Sequence, residues 1–510
     1  MKQLDSKQAY ELAMKYHQKG ELAKAEQLYG AVLEVDRHNA DAMHYLGLIH
    51  IANGKTESAL ELMKQAVSLD KTNPVFHNNL GEIYRQTGQF EHAEFHLSSA
   101  AELKPNYSDA FSNLGLLYKE RGLVNDAKYC FAEALQSDPK NLSALINTGN
   151  LFNSEGSYED AIQCYEAALE ISPDNPNALA SAGAAYYKTG EYNTSAKYYS
   201  RLVNGHPELH RDRVNLALIT LRNKDFRKGF QLYESRFKYL DVMEGAQEKL
   251  WRGTNLKDKT LYVYNEKSGL SGFGDTILFA RYILELEKYE PSKVIFRVQP
   301  ELETLFRENM PENIEVTSES CADYDVHSPL LSLPLVLNAR AKTIPHSEGY
   351  LKADSKKVQI FSEEMLTEKT KIGIVFQTSK DHTDHEKRSL TQESFSSLYN
   401  NSSVKLFHIG KETAETPLDK TVTDMNEKIN DFSDTAAIIE NLDMVITADT
   451  SVAHLAGAMG KKTALLIDHL HDWRWFNAKE GKQSEWYSSV TFHIKEKGSS
   501  WFDVVSSINI

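Results

Sequence analysis

At roughly 100–200 residues per domain, a chain of 510 residues has room for about three domains, which excludes a single small core. Its 41% hydrophobic and 25% charged residues match ordinary soluble globular chains and exclude disordered, collagen-like and fibrous classes. With 57 basic against 72 acidic residues the formal charge is −15, which argues against a duplex nucleic-acid or anionic-membrane partner. No run of 18 or more apolar residues is present, and the opening MKQLDSKQAYELAMKYHQ lacks the apolar core of an export signal. The expectation is a cytoplasmic protein without membrane insertion. Three cysteines, Cys130, Cys164 and Cys321, with no C-x-x-C spacing, disfavour a disulfide framework, structural zinc and dithiol chemistry.

The first half is periodic. Small residues recur every 34 positions at Ala13, Gly47, Gly81, Gly115, Gly149, Gly183 and Ala217, and a second series, Gly20, Gly54, Gly88, Gly122, Gly156 and Gly190, follows seven residues later. A third runs through Ala25, Ala59, Ala93, Ala127, Ala161, Ser195 and Gly229. Helical apolar spacing in each unit, as at Leu114, Leu117 and Tyr118 and then Ala127, Phe131, Ala134 and Leu135, predicts two antiparallel helices joined at a glycine turn. Pro105, Pro139, Pro173 and Pro207 mark the ends of second helices, because proline lacks the N–H a helix needs. This resembles the tetratricopeptide repeat (TPR) pattern over about residues 6–240. Lys224 departs from it at the turn-glycine position and Arg236 at a usual alanine.

In such arrays the residue two before the first small position faces the concave surface, here Glu11, Tyr45, Asn79, Asn113, Asn147, Ser181 and Asn215. A primary amide donates and accepts at once. A row of them, Asn79, Asn113, Asn147 and Asn215, could grip the backbone of an extended polypeptide, and resembles the asparagine ladder of O-linked N-acetylglucosamine transferases. The alternative is that asparagine is merely tolerated on a solvated helix face. Cys130 and Cys164, at equivalent positions of second helices, read as packing residues.

After Leu240 the period stops. Strand-like TLYVYN, helical DTILFARYILELEKY, strand-like KVIFRV and helical PELETLFREN give the order that builds parallel βαβ units. A second set follows: KIGIVFQ, QESFSSLYN, VKLFHIG, SDTAAIIENL, DMVITA, SVAHLAGAMG and KTALLID. Two Rossmann-like halves joined through about Tyr350 to Thr370 imply ligands at the carboxyl ends of parallel strands.

Three segments at such positions carry chemistry. SGLSGFGDT places Gly272, Gly274 and Asp275 between a strand and a helix, but is neither a Walker A loop nor a dinucleotide fingerprint; Asp275 reads either as a functional carboxylate or as a helix cap. DMVITADTSVAHLAGAMG sets Asp449, Thr450 and Ser451 at a helix start suited to phosphate, with His454, structural or functional, one turn on. TSKDHTDHEKRSL gathers His382, Asp384, His385, Lys387 and Arg388, more like a polar cleft loop than a metal site; Arg388 suits an anionic oxygen.

Together the G-x-G-D of SGFGDT, the RS of KRSL, the D-T-S-x-x-H-L-A-G-A-x-G run and the D-W-R-W of Asp472 to Trp475 resemble glycosyltransferase family 9, the heptosyltransferase-like group. More closely they resemble bacterial proteins that fuse TPRs to such a domain, the flagellin glycosyltransferases, which use CMP-linked nonulosonic acids. The resemblance covers roughly residues 258–508 and implies a GT-B fold and a metal-independent transfer with no cofactor beyond the nucleotide-sugar donor, CMP- or otherwise linked. In the family Asp275 would be the general base, and Thr450, Ser451 and His454 would bind the donor phosphate. Direct attack then inverts the anomeric carbon. Arg388 and Asp449 join the donor side, with His408 and Gly410 at a strand end as further candidates.

The expected architecture is an all-α TPR superhelix of about seven repeats over residues 1–240, a connector over 241–257, and an α/β GT-B-like domain of two Rossmann-like halves, 258–350 and 351–510. The expected activity is transfer of a sugar to Ser or Thr of a captured polypeptide, flagellin first. The alternatives are a TPR scaffold or secretion chaperone with an inactive transferase-like domain, and a glycolipid glycosyltransferase. Homo-oligomerisation through the repeats is left open.

Overall fold

The computed structural model describes residues 5–266, 272–376, 390–411 and 417–510. The chain forms two compact units, Met1–Glu191 and Tyr192–Ile510.

The first unit is all helix. First helices such as Ala40–Ala52, Pro74–Gln86, Ser108–Glu120 and Leu142–Ser154 each have 13 residues, and their partners Thr56–Leu69, Phe90–Leu103, Val124–Ser137 and Tyr158–Ile171 each have 14. Four first helices start at an asparagine that is itself spaced at multiples of 34. The side-chain oxygens of Asn39, Asn73, Asn141 and Asn175 accept the N–H groups of Ala42, Val75, Ala144 and Ala178 at 2.9–3.0 Å. Each such cap stabilises its helix by about 1 kcal/mol. Between the helices of a pair, Gly20, Gly54, Gly88, Gly122, Gly156 and Gly190 all hold φ between +73° and +83°, the left-handed region where only glycine is free of strain.

The other glycine series is needed for contact. A Cβ on Gly81 would lie 2.7 Å from Leu97, on Gly115 2.5 Å from the Phe131 ring, and on Gly149 2.6 Å from the Tyr165 ring. Each first helix therefore seats a large second-helix side chain directly on its backbone. A Gly115→Val chain is expected to lose about 1–3 kcal/mol through overpacking, read as a lower melting temperature; an unchanged melt would contradict this packing. Burial pushes the Cys130 thiol up to about 12 and raises Cys164 too, which fits packing and not thiolate chemistry.

The second unit begins with three helices of the same spacing, Tyr192–Gly205, His210–Arg222 and Phe226–Tyr233. Two parallel sheets follow. The first has β1 (Thr260–Tyr264), β2 (Lys293–Arg297), β3 (Ile314–Thr317) and β4 (Val326–Pro329) in the order β3-β2-β1-β4. The second has β5 (Thr370–Val375), β6 (Val404–His408), β7 (Val422–Asp424), β8 (Met444–Ala448), β9 (Thr463–Asp468) and β10 (Val490–Lys495) in the order β10-β9-β8-β5-β6-β7. The all-α repeat region followed by an α/β region with parallel sheets agrees with the expected class.

One expected helix is shorter than the sequence pattern suggests. DTILFARYILELEKY forms a helix only over Phe273–Ala280, then turns and tightens into a 3-10 run, Leu284–Tyr289. The cause lies at Arg281: its buried guanidinium bonds back to the Leu278 carbonyl at 2.9 Å and outward to the Trp486 carbonyl at 2.8 Å. The segment from Tyr350 to Thr370, expected as a joint, contains the helix Ser355–Glu364.

Although the period of 34 runs to about residue 240, the core does not change character there. Val214, Leu221, Phe226, Phe230 and Tyr233 belong to the same buried cluster as Val263, Phe279, Phe296 and Trp486. Arg236, the residue at a usual alanine position, is fully buried because it pairs with Glu266 at 2.6 and 2.9 Å and with Ser332 at 2.8 Å. Lys224 takes φ +64° where other repeats place glycine, and its ammonium pairs with Glu485.

Candidate active site and binding groove

In each sheet the chain runs outward from a central strand and then jumps back to its other side. These switch points lie between β1 and β4 and between β5 and β8, and it is at the carboxyl ends of strands flanking such points that open parallel sheets bind ligands. The G-x-G-D turn leaves β1 and the D-T-S segment leaves β8. Their helices, Phe273–Ala280 and Ser451–Ala458, pack on each other: a Cβ on Gly274 would stand 2.8 Å from the His454 ring. Gly274 therefore permits close approach of the two halves.

Asp275 occupies the first turn of its helix, where one carboxylate oxygen accepts the Gly272 N–H at 3.2 Å. The capping alternative is real, but it uses only that oxygen. The other accepts Arg474 Nε at 2.6 Å, while Arg474 Nη1 binds Asp472 at 2.8 Å. Asp275 is 7% exposed. Burial pushes its carboxyl above the usual range, and the Arg474 charge opposes that shift. Burial likewise works against the Arg474 charge, yet Asp275 and Asp472 hold the guanidinium firmly protonated.

His454 is buried, stacked on Trp475 at 4.8 Å and in hydrogen-bond reach of Tyr487 Oη at 3.2 Å. Its ring packs the seam between the halves. Thr450 and Ser451 are half-buried at the helix start, with Thr447 and Thr450 hydroxyls 3.1 Å apart, and Asp449 immediately precedes them. The backbone N–H groups of that first turn suit an anion.

Other expected residues stand apart from this group. His408 and Gly410 lie at the end of β6, separated from β8 by β5; His408 is buried against Phe376 at 4.8 Å and meets Asp424 at 3.0 Å. Arg388, with His382, Asp384, His385 and Lys387, lies outside the described residues. Among the described residues no group of three or more His, Cys, Asp or Glu could hold a metal ion.

The principal residue the sequence reading missed is Arg474. The D-W-R-W run contributed only to the family resemblance, because nothing in the order of residues says that Arg474 meets a carboxylate 199 positions earlier. Periodicity cannot reveal a contact that the return of β9 creates.

In the first unit, Asn79 and Asn113 line a cavity of about 370 Å³ with Asn78, Asp109, Ser112 and Ser143. Asn147 lines an adjoining one of about 430 Å³ with Ser143, Asn150, Asn175 and Ser181. Ser143 is common to both, so the three amides share one polar groove. Two of them are linked: Asn79 meets His44 at 2.7 Å, Asn78 donates to Asn79 at 3.1 Å, and Asn113 donates to Asn78 at 3.0 Å. Asn147 donates to the Ser143 carbonyl at 2.9 Å. Asn215 belongs to the second unit, 3.5 Å from both Asp212 and Tyr199 Oη.

Family models named "Tetratricopeptide repeat" match residues 10–74 and 50–117, and one named "TPR repeat" matches 149–190. The N-terminal region is built of TPRs. It is a protein-interaction module, since these repeats present extended binding surfaces. No curated protein matches the chain. Among solved structures it is similar to PilF of Pseudomonas aeruginosa, at 24% identity over 40% of this chain and 92% of that one, with a TM-score of 0.36. It is also similar to MamA, at 26% identity over 32% of this chain and 94% of that one, TM-score 0.28. A third likeness is to YrrB, described as a TPR protein with an unusual peptide-binding site, at 24% identity over 34% of this chain and 90% of that one, TM-score 0.28. No described helix is long and apolar enough to cross a membrane.

Proposed function

We propose that the protein is an O-glycosyltransferase acting on a polypeptide held by the repeats. The observation that carries this reading is the meeting of a buried carboxylate, Asp275, with the Arg474 cation, on a helix whose Gly274 packs against His454 of the helix that Thr450 and Ser451 open. Transfer from a nucleotide sugar needs a base for the acceptor hydroxyl and positive or N–H groups for the leaving phosphate, and this cluster supplies both. Asp275 takes the Ser or Thr proton; Arg474 and the helix start hold the phosphate. The amide groove supports capture of an extended chain through its backbone. Flagellin is the first acceptor to test, with CMP-linked nonulosonic acids first among donors, on the strength of the sequence resemblance.

The test is intact-mass measurement of flagellin co-expressed with this protein and each of several donor pathways. A mass increment of one or more sugars is expected; an unchanged mass across all donors removes the reading. Replacing Asn79, Asn113 and Asn147 together by alanine is expected to reduce modification at least tenfold while leaving calorimetric nucleotide binding unchanged. Full modification by that variant would detach the groove from the acceptor. The alternative is a TPR scaffold with an inactive transferase-like domain. Peptide binding without binding of CMP, UDP or GDP would support that alternative.

A further inference from the structure

We propose that Arg222, a residue of the last repeat, is a positioning residue for the Asp275–Arg474 pair. Arg222 ends the helix His210–Arg222 and is 1% exposed. Its Nη1 donates to two successive carbonyls, His471 at 3.0 Å and Asp472 at 3.2 Å. Its Nη2 donates to Tyr192 Oη at 2.8 Å, and its guanidinium lies 3.8 Å over the Tyr192 ring. Among the described residues no carboxylate pairs with it, so this buried cation is committed to the shape of the loop at 471–472. A planar fork that holds both carbonyls on Nη1 while Nη2 is tied to Tyr192 Oη fixes geometry in a way one ammonium cannot.

The next residues of that loop set the charge at the site. Asp472 accepts the Arg474 backbone N–H at 2.9 Å and its Nη1 at 2.8 Å, which aims Nε at Asp275. Beyond Arg474, its carbonyl is held by Trp486 Nε1 at 2.6 Å, and Trp486 stacks on Phe226 of the last repeat helix at 5.6 Å. The last repeat thus fixes the loop on both sides of Arg474. Asp275 is faced by Arg474 and Asp472 from this loop, by Gly272 N–H from its own turn, by Glu266 at the end of β1, and by Tyr233 of the last repeat helix. Of these, Arg474 is the cation that Arg222 places. The consequence for catalysis rests on the reading of Asp275 as base; the positioning itself does not.

The sign of the effect is set by charge. The Arg474 cation stabilises the Asp275 carboxylate, so loosening Arg474 lets burial dominate and moves the carboxyl titration upward. The full chain labelled with carbon-13 at aspartate carboxyls gives the readout, with the Asp275 resonance identified as the one missing from Asp275→Asn. In Arg222→Lys the midpoint is expected to rise by about one pH unit, whereas a merely structural role would lower the melting temperature and leave the midpoint in place. A folded Arg222→Lys with the wild-type midpoint overturns the proposal. Should that variant not fold, Tyr192→Phe, which removes the phenol bond to the guanidinium and keeps the ring beneath it, carries the test: an upward shift supports it and none overturns it. Failure of the base reading shows separately, as wild-type transfer by Asp275→Asn, and leaves this titration unaffected.

Discussion

A chain beginning at residue 241 is expected to be insoluble, whereas one beginning at Tyr192 is expected to be soluble and to melt cooperatively. The shorter chain retains both sheets and looks sufficient by periodicity. It lacks Val214, Leu221, Phe226, Phe230 and Tyr233, which fill the same core as the β1 and β2 strands. At about 1.5–3 kcal/mol for each large apolar side chain, their loss removes roughly 10 kcal/mol, comparable to the whole stability of a domain. It also lacks Arg236, leaving Glu266 buried at the end of β1 without its cation. Removing one partner of such a pair costs about 3–5 kcal/mol. Arg236→Ala in the full chain isolates that second term. A chain from residue 241 that melts cooperatively at the temperature of the longer one would mean that these helices are only appended.

The same boundary shows what sequence can and cannot convey. The repeats were legible because each imposes the same local demands: a left-handed turn filled by glycine at Gly54 or Gly88, and a glycine under a large side chain at Gly115. The central strands were legible as continuous apolar runs, as in Met444–Ala448, buried at every position. The strands missed, β3, β4, β7 and β10, are the four edges of the two sheets. Val422–Asp424 is short and buried at no position, while Val326–Pro329 is buried at three of its four positions but places His327 and Ser328 there, so neither carries an apolar run, and Pro329 is tolerated at the end of an edge strand.

The candidate site was legible in its parts and not in their pairing. Asp275, Thr450 and Ser451 stand out because they follow strands and open helices. Arg474, Asp472 and Arg222 act through contacts spanning 199 to 250 positions, which only the folded chain creates. Arg236 was visible as an anomaly at an alanine position, and its reason, Glu266, was not.

Asp275→Asn is expected to slow transfer by at least 100-fold, in line with loss of a general base, with nucleotide binding equal to wild type or tighter. The two effects separate because they depend on opposite consequences of one charge. The amide keeps the shape of the carboxylate and still offers an oxygen to Arg474 Nε, but it cannot take a proton from an acceptor hydroxyl. Removing the negative charge also leaves Arg474 balanced by Asp472 alone, so an anionic phosphate meets a less neutralised guanidinium. Single-turnover rates by intact mass, with calorimetry of CMP and UDP, read both quantities. Slow transfer with weakened nucleotide binding would assign Asp275 to donor binding instead. A wild-type rate would remove Asp275 from the chemistry and leave it as the cap of the helix Phe273–Ala280.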